Sequence, residues 1–366
     1  MVNRFRLRPA AVLAAGLLVS LVGCADNSAS APAATPSATS GSATGAADTV
    51  LTGEPDVNGD GKVVIGVLSP GDINDHGYYQ SFVDKADAFA AEKGWTVIKR
   101  GSVSTTDALG AARALCQQKV DMVALGASEL KDAIPASEEA VCAKTAWYVP
   151  SSFNVQQTPR IMLSTDDPVP TLLAAGYATG WLMKEHGDTK AGFVTGPEVD
   201  FTTSAATAWK AGIHEVLPDA QVLTTYTGNL DDSAKAKEAV QAQMSQGVQA
   251  LYPYLGGSTD TATKLANTKK LITLTPGTDR CSSESPAFDI SVLFSPGDYF
   301  ESALKQFAAG KLAMGSTRIW KIGVDPYPTI KYCNASSAFE KRLATFINDL
   351  GSGKIDAAAE VKRLGK

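Results

Sequence analysis

Residues 62–99 read KVVIGVLSPGDINDHGYYQSFVDKADAFAAEKGWTVIK. The run KVVIGVLS (62–69) is short, β-branched and apolar, as a strand must be when both of its faces are covered. Phe82, Ala86, Phe89 and Ala90 then fall at i, i+4, i+7 and i+8. That spacing predicts a helix over 76–93, capped by Asn74 or Asp75 and stopped by Gly94. WTVIK (95–99) follows as a second strand.

The same beat continues downstream. Helix 106–118, strand DMVALG (121–126), helix 129–143, strand AWYVP (146–150) and strand RIMLST (160–165) follow in order. Helix 169–186, strand AGFVTG (191–196), helix 203–216 and strand QVLTTYT (221–227) come next, then helix 231–246, strand VQALYPY (248–254), helix 259–269 and strand LITLT (271–275). Strands and helices alternating over short connections mean parallel sheets covered by helices. The strands are too many for one open sheet, and the Pro-, Ser- and Asp-rich break at 151–170 reads as a passage between two lobes. A single eight-stranded barrel is the alternative. The expected fold is α/β, with two doubly wound parallel-sheet lobes joined by a hinge. Residues 62–165 and about 277–318 are assigned to the first lobe, and 166–276 with about 319–366 to the second. In such folds a ligand sits at the carboxyl ends of the strands.

The loop between the first strand and helix, Ser69-Pro70-Gly71-Asp72-Ile73-Asn74-Asp75-His76-Gly77-Tyr78-Tyr79-Gln80-Ser81, resembles the signature loop of the basic membrane protein family. These are substrate-binding lipoproteins of ABC importers with the type I periplasmic-binding-protein fold, and the best-known members bind purine nucleosides. The resemblance extends through AAGYATGWL (174–182), AGFVTG (191–196), the Trp209-x-x-Gly212 helix, LPDAQVLTTYTGNLDDSAKAKE (217–238) and Gly256-Gly257. It implies a ligand site drawn from Ser69, Asn74, Asp75, Tyr78, Ser152, Trp209, Tyr252, Gly256, Gly257 and Asp279. Asn74 and Asp75 either cap the helix or face a polar ligand. Tyr78 and Tyr79 either stack on a flat ring or pack into the core. Tyr252 and Tyr254 either offer a second stacking face or pack within their strand. The family's charged contacts are replaced: its first loop Asp falls on Ser69, a Lys on Phe294, and an acidic residue on Ser151 or Ser152. Asp279 is placed as the substitute for an acidic residue after the hinge strand.

The N-terminus is an address. Arg4, Arg6 and Arg8 precede an apolar run, Pro9 to Val22, that is shorter than the roughly 20 residues of a membrane-spanning helix. The run ends in Leu21-Val22-Gly23-Cys24, which resembles a bacterial lipobox. The resemblance implies a signal peptide over 1–23 and lipid on Cys24, anchoring the mature protein to the outer face of the cell membrane without spanning it. Residues 24–61 are expected to form a disordered tether, because Ala, Ser, Thr, Pro and Gly dominate 25–47 and cannot offset the entropy of ordering.

Cys116, Cys142, Cys281 and Cys333 make an even number in an oxidising compartment, and three pairings are open to them. Cys116–Cys142 and Cys281–Cys333 are favoured because each pair lies within one stretch of chain. Lys plus Arg number 33 against 38 for Asp plus Glu, so no basic excess offers a face to nucleic acid. The three histidines lie far apart in sequence, and no C-x-x-C occurs, so neither a metal site nor a cofactor is expected. Asp56-Val57-Asn58-Gly59-Asp60-Gly61 begins like a calcium loop but has Val67 where the closing Glu belongs. A polar turn is the simpler reading.

The features together imply a monomeric, extracytoplasmic solute-binding protein that passes a small molecule to an ABC permease and carries out no catalysis. A lipoprotein sensor for a membrane receptor is the alternative. An exported hydrolase would need a nucleophile and base that the motifs do not supply.

Overall fold

The computed structural model describes residues 52–151 and 155–366. The expected signal segment, Cys24, the expected tether up to residue 51 and Ser152 lie outside the described residues.

The chain begins with β1 (Thr52–Gly53), β2 (Val64–Leu68), α1 (Tyr78–Lys93), β3 (Thr96–Arg100), α2 (Ala108–Gln117), β4 (Met122–Leu125), β5 (Ala146–Ser151) and β6 (Met162–Asp166). It continues through α3 (Pro168–His186), β7 (Lys190–Thr195), α4 (Asp200–His214), β8 (Gln221–Tyr226), α5 (Ser233–Ser245), β9 (Ala250–Tyr254), α6 (Thr259–Asn267), β10 (Ile272–Gly277) and β11 (Ile290–Leu293). Last come α7 (Pro296–Ala308), β12 (Leu312–Ala313), β13 (Thr317–Trp320), β14 (Thr329–Tyr332), α8 (Ser337–Gly351) and α9 (Ala357–Leu364).

Two six-stranded sheets organise these elements. The first has the order β13-β6-β5-β4-β2-β3 and is parallel throughout. The second has the order β14-β11-β10-β9-β7-β8 and is parallel except for β14, which runs antiparallel to β11. Each sheet reverses its winding once, between β2 and β4 in the first and between β7 and β9 in the second. Doubly wound sheets open their ligand crevice at that reversal. Each sheet also carries its own core. Ile65, Phe82, Trp147 and Tyr148 are fully buried in the first, and Phe193, Trp209 and Tyr252 in the second.

The described residues depart from the expected boundaries in four places. Thr52 and Gly53, inside the expected tether, form a strand that pairs antiparallel with Ala313 and Leu312. The helix expected over 129–143 is instead a pair of tight 3₁₀ segments, Ser128–Glu138 and Ala140–Cys142. Pro135, lacking an N–H and clashing with the preceding turn, prevents a regular helix there. The stretch 277–318, expected wholly in the first lobe, divides: β11 pairs with β10 in the second sheet, and α7 returns to the first core. Phe300 and Phe307 drive that return, Phe300 stacking on Phe82 at 4.3 Å. Finally, β13 (Thr317–Trp320) joins the first sheet beside β6, so its last two residues leave the lobe assigned to 319–366. The chain therefore crosses between lobes at Asp167, at 294–295 and at 321–328. Cys116 is bonded to Cys142 and Cys281 to Cys333. The Asp56, Asn58 and Asp60 side chains accept bonds from the backbone N–H groups of Gly61, Asp60 and Lys62, so they close a turn.

Candidate functional site

A cavity of about 140 Å³ lies where the carboxyl ends of the two sheets face each other. That is room for a small organic molecule rather than one or two waters. The loops after β2 and β4 contribute from one side and those after β7, β9 and β10 from the other, so both winding reversals open onto it.

Asp75 and Tyr78 enter from the β2–α1 loop. Asp75 Oδ1 accepts from the N–H groups of Gly77 and Gln80, both at 2.9 Å, and Oδ2 accepts from Tyr79 at 3.2 Å. The carboxylate thus ties down the first turn of α1, which sets the Tyr78 ring at the cavity wall. Burial still pushes Asp75 above the ordinary carboxylate range, against the pull of those three bonds. Tyr79 packs edge-on against Tyr78 with ring centroids 5.4 Å apart.

The opposite wall is aromatic. Tyr254 ends β9 and Phe294 follows β11, with centroids 6.1 Å apart, and Phe201 opens α4. Gly256 lies beside them. A Cβ there would come within 2.4 Å of Asp231 Oδ1, so the close approach requires glycine. Asp166, at the end of β6, accepts from the Tyr299 hydroxyl at 3.3 Å, and burial raises it to about 6. Glu129, from the loop after β4, is also pushed up by its protein surroundings. Among the described residues, the only guanidinium lining the cavity belongs to Arg280. Both of its terminal nitrogens engage Asp260, and its plane lies 4.8 Å from the Phe288 ring.

Residues 173–326 match the family model Bmp, the PnrA-like ABC transporter substrate-binding proteins. This is the family that the sequence motifs resemble. The Bmp match runs from within α3 to just past β13, and so takes in Phe201, Tyr254, Gly256, Arg280 and Phe294 of the cavity lining but not Thr171 or Leu172. No curated protein sequence matches the chain. Among solved structures, an ABC transporter solute-binding protein from Conexibacter woesei superposes with a TM-score of 0.66 at 19% identity, over 80% of this chain and 98% of that one. One from Aeropyrum pernix gives 0.65 at 14% identity, over 83% and 90%. A solute-binding protein from Agrobacterium vitis, bound with α-D-tagatopyranose, gives 0.53 at 14% identity, over 78% and 99%. At these identities the likeness shows the fold, which is the type I periplasmic-binding fold expected from the Bmp resemblance.

The residues that the resemblance implied for the site are only partly brought together. Asp75, Tyr78 and Gly256 line the cavity. Ser69 is buried behind it, donating to the Gly71 carbonyl at 3.1 Å. Asn74 faces solvent on the loop. Trp209 and Tyr252 are fully buried core residues of the second lobe, and the indole Nε1 of Trp209 donates to Thr179 Oγ1 at 3.2 Å. Gly257 donates its N–H to Asp231 Oδ1 at 2.6 Å, away from the cavity. Asp279 is bound to Lys331 at 2.6 Å beside the Cys281–Cys333 bridge, and it is Arg280, its neighbour, that reaches the cavity. Ser152 lies outside the described residues.

Glu129, Asp166, Arg280 and Tyr299 were missed by sequence reasoning. Asp166 ends a strand, Glu129 and Arg280 lie in the turns that follow strands, and Tyr299 lies in the first turn of α7, but no motif marks them. Only the rule that strand carboxyl ends face the ligand pointed to their neighbourhood.

Proposed function

We propose that this chain is the extracytoplasmic solute-binding protein of an ABC importer, holding a small flat polar molecule between its two lobes. A purine nucleoside is the first candidate, by the family resemblance. The observation that carries the reading is the cavity at the carboxyl ends of both sheets, walled by Tyr78 on one lobe and Tyr254 and Phe294 on the other. Aromatic walls suit a flat ring, and the family resemblance supports a binder rather than an enzyme. Cys24 carries a lipid that holds it at the membrane, which Cys24→Ser would release into the soluble fraction. A monomer closing around its ligand and delivering it to a permease completes the proposal.

The test is calorimetric. The molecule released from natively purified protein is titrated back onto the emptied protein and onto Tyr78→Ala. Stacking on an aromatic ring is worth about 1–3 kcal/mol, so the variant should bind roughly 5- to 150-fold more weakly. Unchanged affinity in a variant that melts normally would remove the cavity from the binding site.

A further inference from the structure

Charge in the cavity is unbalanced. Asp75, Glu129, Asp166 and Asp260 all line it, and its one guanidinium, Arg280, is already committed to Asp260. Asp166 meets only the Tyr299 hydroxyl and its own backbone. Glu129, an exposed residue whose carboxylate borders the cavity, meets only the Ser128 hydroxyl and its own backbone. Neither carboxylate has a cationic partner among the described residues, and residues 152–154, Ser-Phe-Asn, bring no charge. The lysine that the family resemblance puts at position 294 is a phenylalanine here. One cation is thereby exchanged for one more ring beside Tyr254. A separate observation points to a bound polar ligand: Thr171, 1% exposed at the cavity wall, has a buried hydroxyl oxygen with no hydrogen-bond partner among the described residues.

A buried carboxylate without a counter-charge is costly, and aromatic faces attract positive charge, most strongly where water is excluded. Both deficits are met by the same kind of ligand. We propose that the solute held in this cleft is an organic cation, a compact or flat group whose positive charge is enclosed by Tyr78, Tyr254 and Phe294 and countered by Asp166 and Glu129. This rests on the reading of the cavity as the solute site and sharpens it: an amine or a quaternary ammonium group fits where a neutral nucleoside leaves both carboxylates uncompensated.

Probes matched in shape and differing in charge test the proposal. Purified protein is titrated at pH 7.5 with 1-methylnicotinamide against neutral nicotinamide, and with choline against neutral 3,3-dimethylbutan-1-ol. Adenosine and inosine are run beside them. The charged member of at least one pair should bind about tenfold or more tightly than its neutral twin, the scale of one charge-assisted bond. That preference should vanish in the Asp166→Asn/Glu129→Gln double variant, which keeps shape while removing charge. Equal or weaker binding of the charged member in both pairs, or a preference that survives the double variant, overturns the proposal. If adenosine or inosine binds and Tyr78→Ala weakens it, the charge inference fails while the cleft stands. If a probe binds and Tyr78→Ala leaves it unchanged, the cleft reading itself fails.

Discussion

Asp166 sits in the least comfortable surroundings of any carboxyl group in the cavity. Tyr299 faces it from α7, Tyr78 from α1, Tyr148 from β5 and Tyr254 from β9, with Glu129 nearby and Asp167 next in the chain. None of these supplies positive charge; of the other described residues lining the cavity, Arg280 is paired with Asp260 and His76 is the remaining basic side chain. Burial raises Asp166 to about 6 from an ordinary value of 3.8. A carboxyl that binds its proton more tightly in the folded state weakens the fold above the folded value, and that penalty is relieved as pH falls from about 6 toward 4. At 1.36 kcal/mol per unit the penalty is at most about 3 kcal/mol. Asp166→Asn should therefore melt several degrees higher than the parent at pH 7.5, with the gap closing near pH 4. An equal or lower melting temperature at pH 7.5 would contradict the burial penalty. Tyr78 and Asp75 could be found in the sequence because the loop joining the first strand to its helix must border the crevice. Asp166 could not, since it reads as the polar end of an ordinary strand. Tyr252 and Tyr254 share one face of β9, and alternation alone cannot tell which is covered. Tyr252 is roofed by Trp209, with centroids 6.0 Å apart, whereas Tyr254 reaches past the strand end to the cavity.

The contact between α3 and α4 explains why two stretches carry the family resemblance without touching the site. Gly176 lies in AAGYATGWL, and Gly212 closes the Trp209-x-x-Gly212 pattern. A Cβ on Gly176 would come within 2.0 Å of the Trp209 carbonyl oxygen, and one on Gly212 within 2.0 Å of the Leu173 carbonyl oxygen. The obstructing atoms are backbone, so the helices must separate to admit a methyl group. Overpacking of this kind costs about 1–3 kcal/mol. Gly212→Ala should lower the melting temperature by several degrees, while the affinity of any ligand bound by the folded protein stays within about twofold, since the contact lies away from the cavity. A variant that melts with the parent would show that the helices part freely. The sequence marks these glycines and Trp209 as special, but the same marks suit a binding residue and a packing residue. Only the three-dimensional contact separates them. Strand and helix positions were readable because their apolar spacing differs. The 3₁₀ segments around Pro135 were not, because their apolar positions, including Leu130 and Ala133, still mimic a helical stripe.

Three chain crossings join two lobes that each have a complete sheet and core. The first crossing, at Asp167, is announced by Pro168 and Pro170 in the break that separates the two runs of strands. The later two lie beyond the lobe boundaries expected from the sequence, at 294–295 rather than near 277 and at 321–328 rather than near 318. No helix separates β10 from β11 or β13 from β14, and β14 is antiparallel, so the strand–helix beat that located the others is lost there. Among the described residues no helix is long and apolar enough to cross a membrane. Two lobes on three short connections, with a ligand cavity between them, are built to close by hinge rotation. Small-angle scattering of the purified protein, emptied and then saturated with the molecule it releases, tests this most directly. Solute capture between the lobes predicts a radius of gyration that falls on saturation and recovers when the molecule is dialysed away. A radius unchanged at a concentration where calorimetry shows the site full would contradict it.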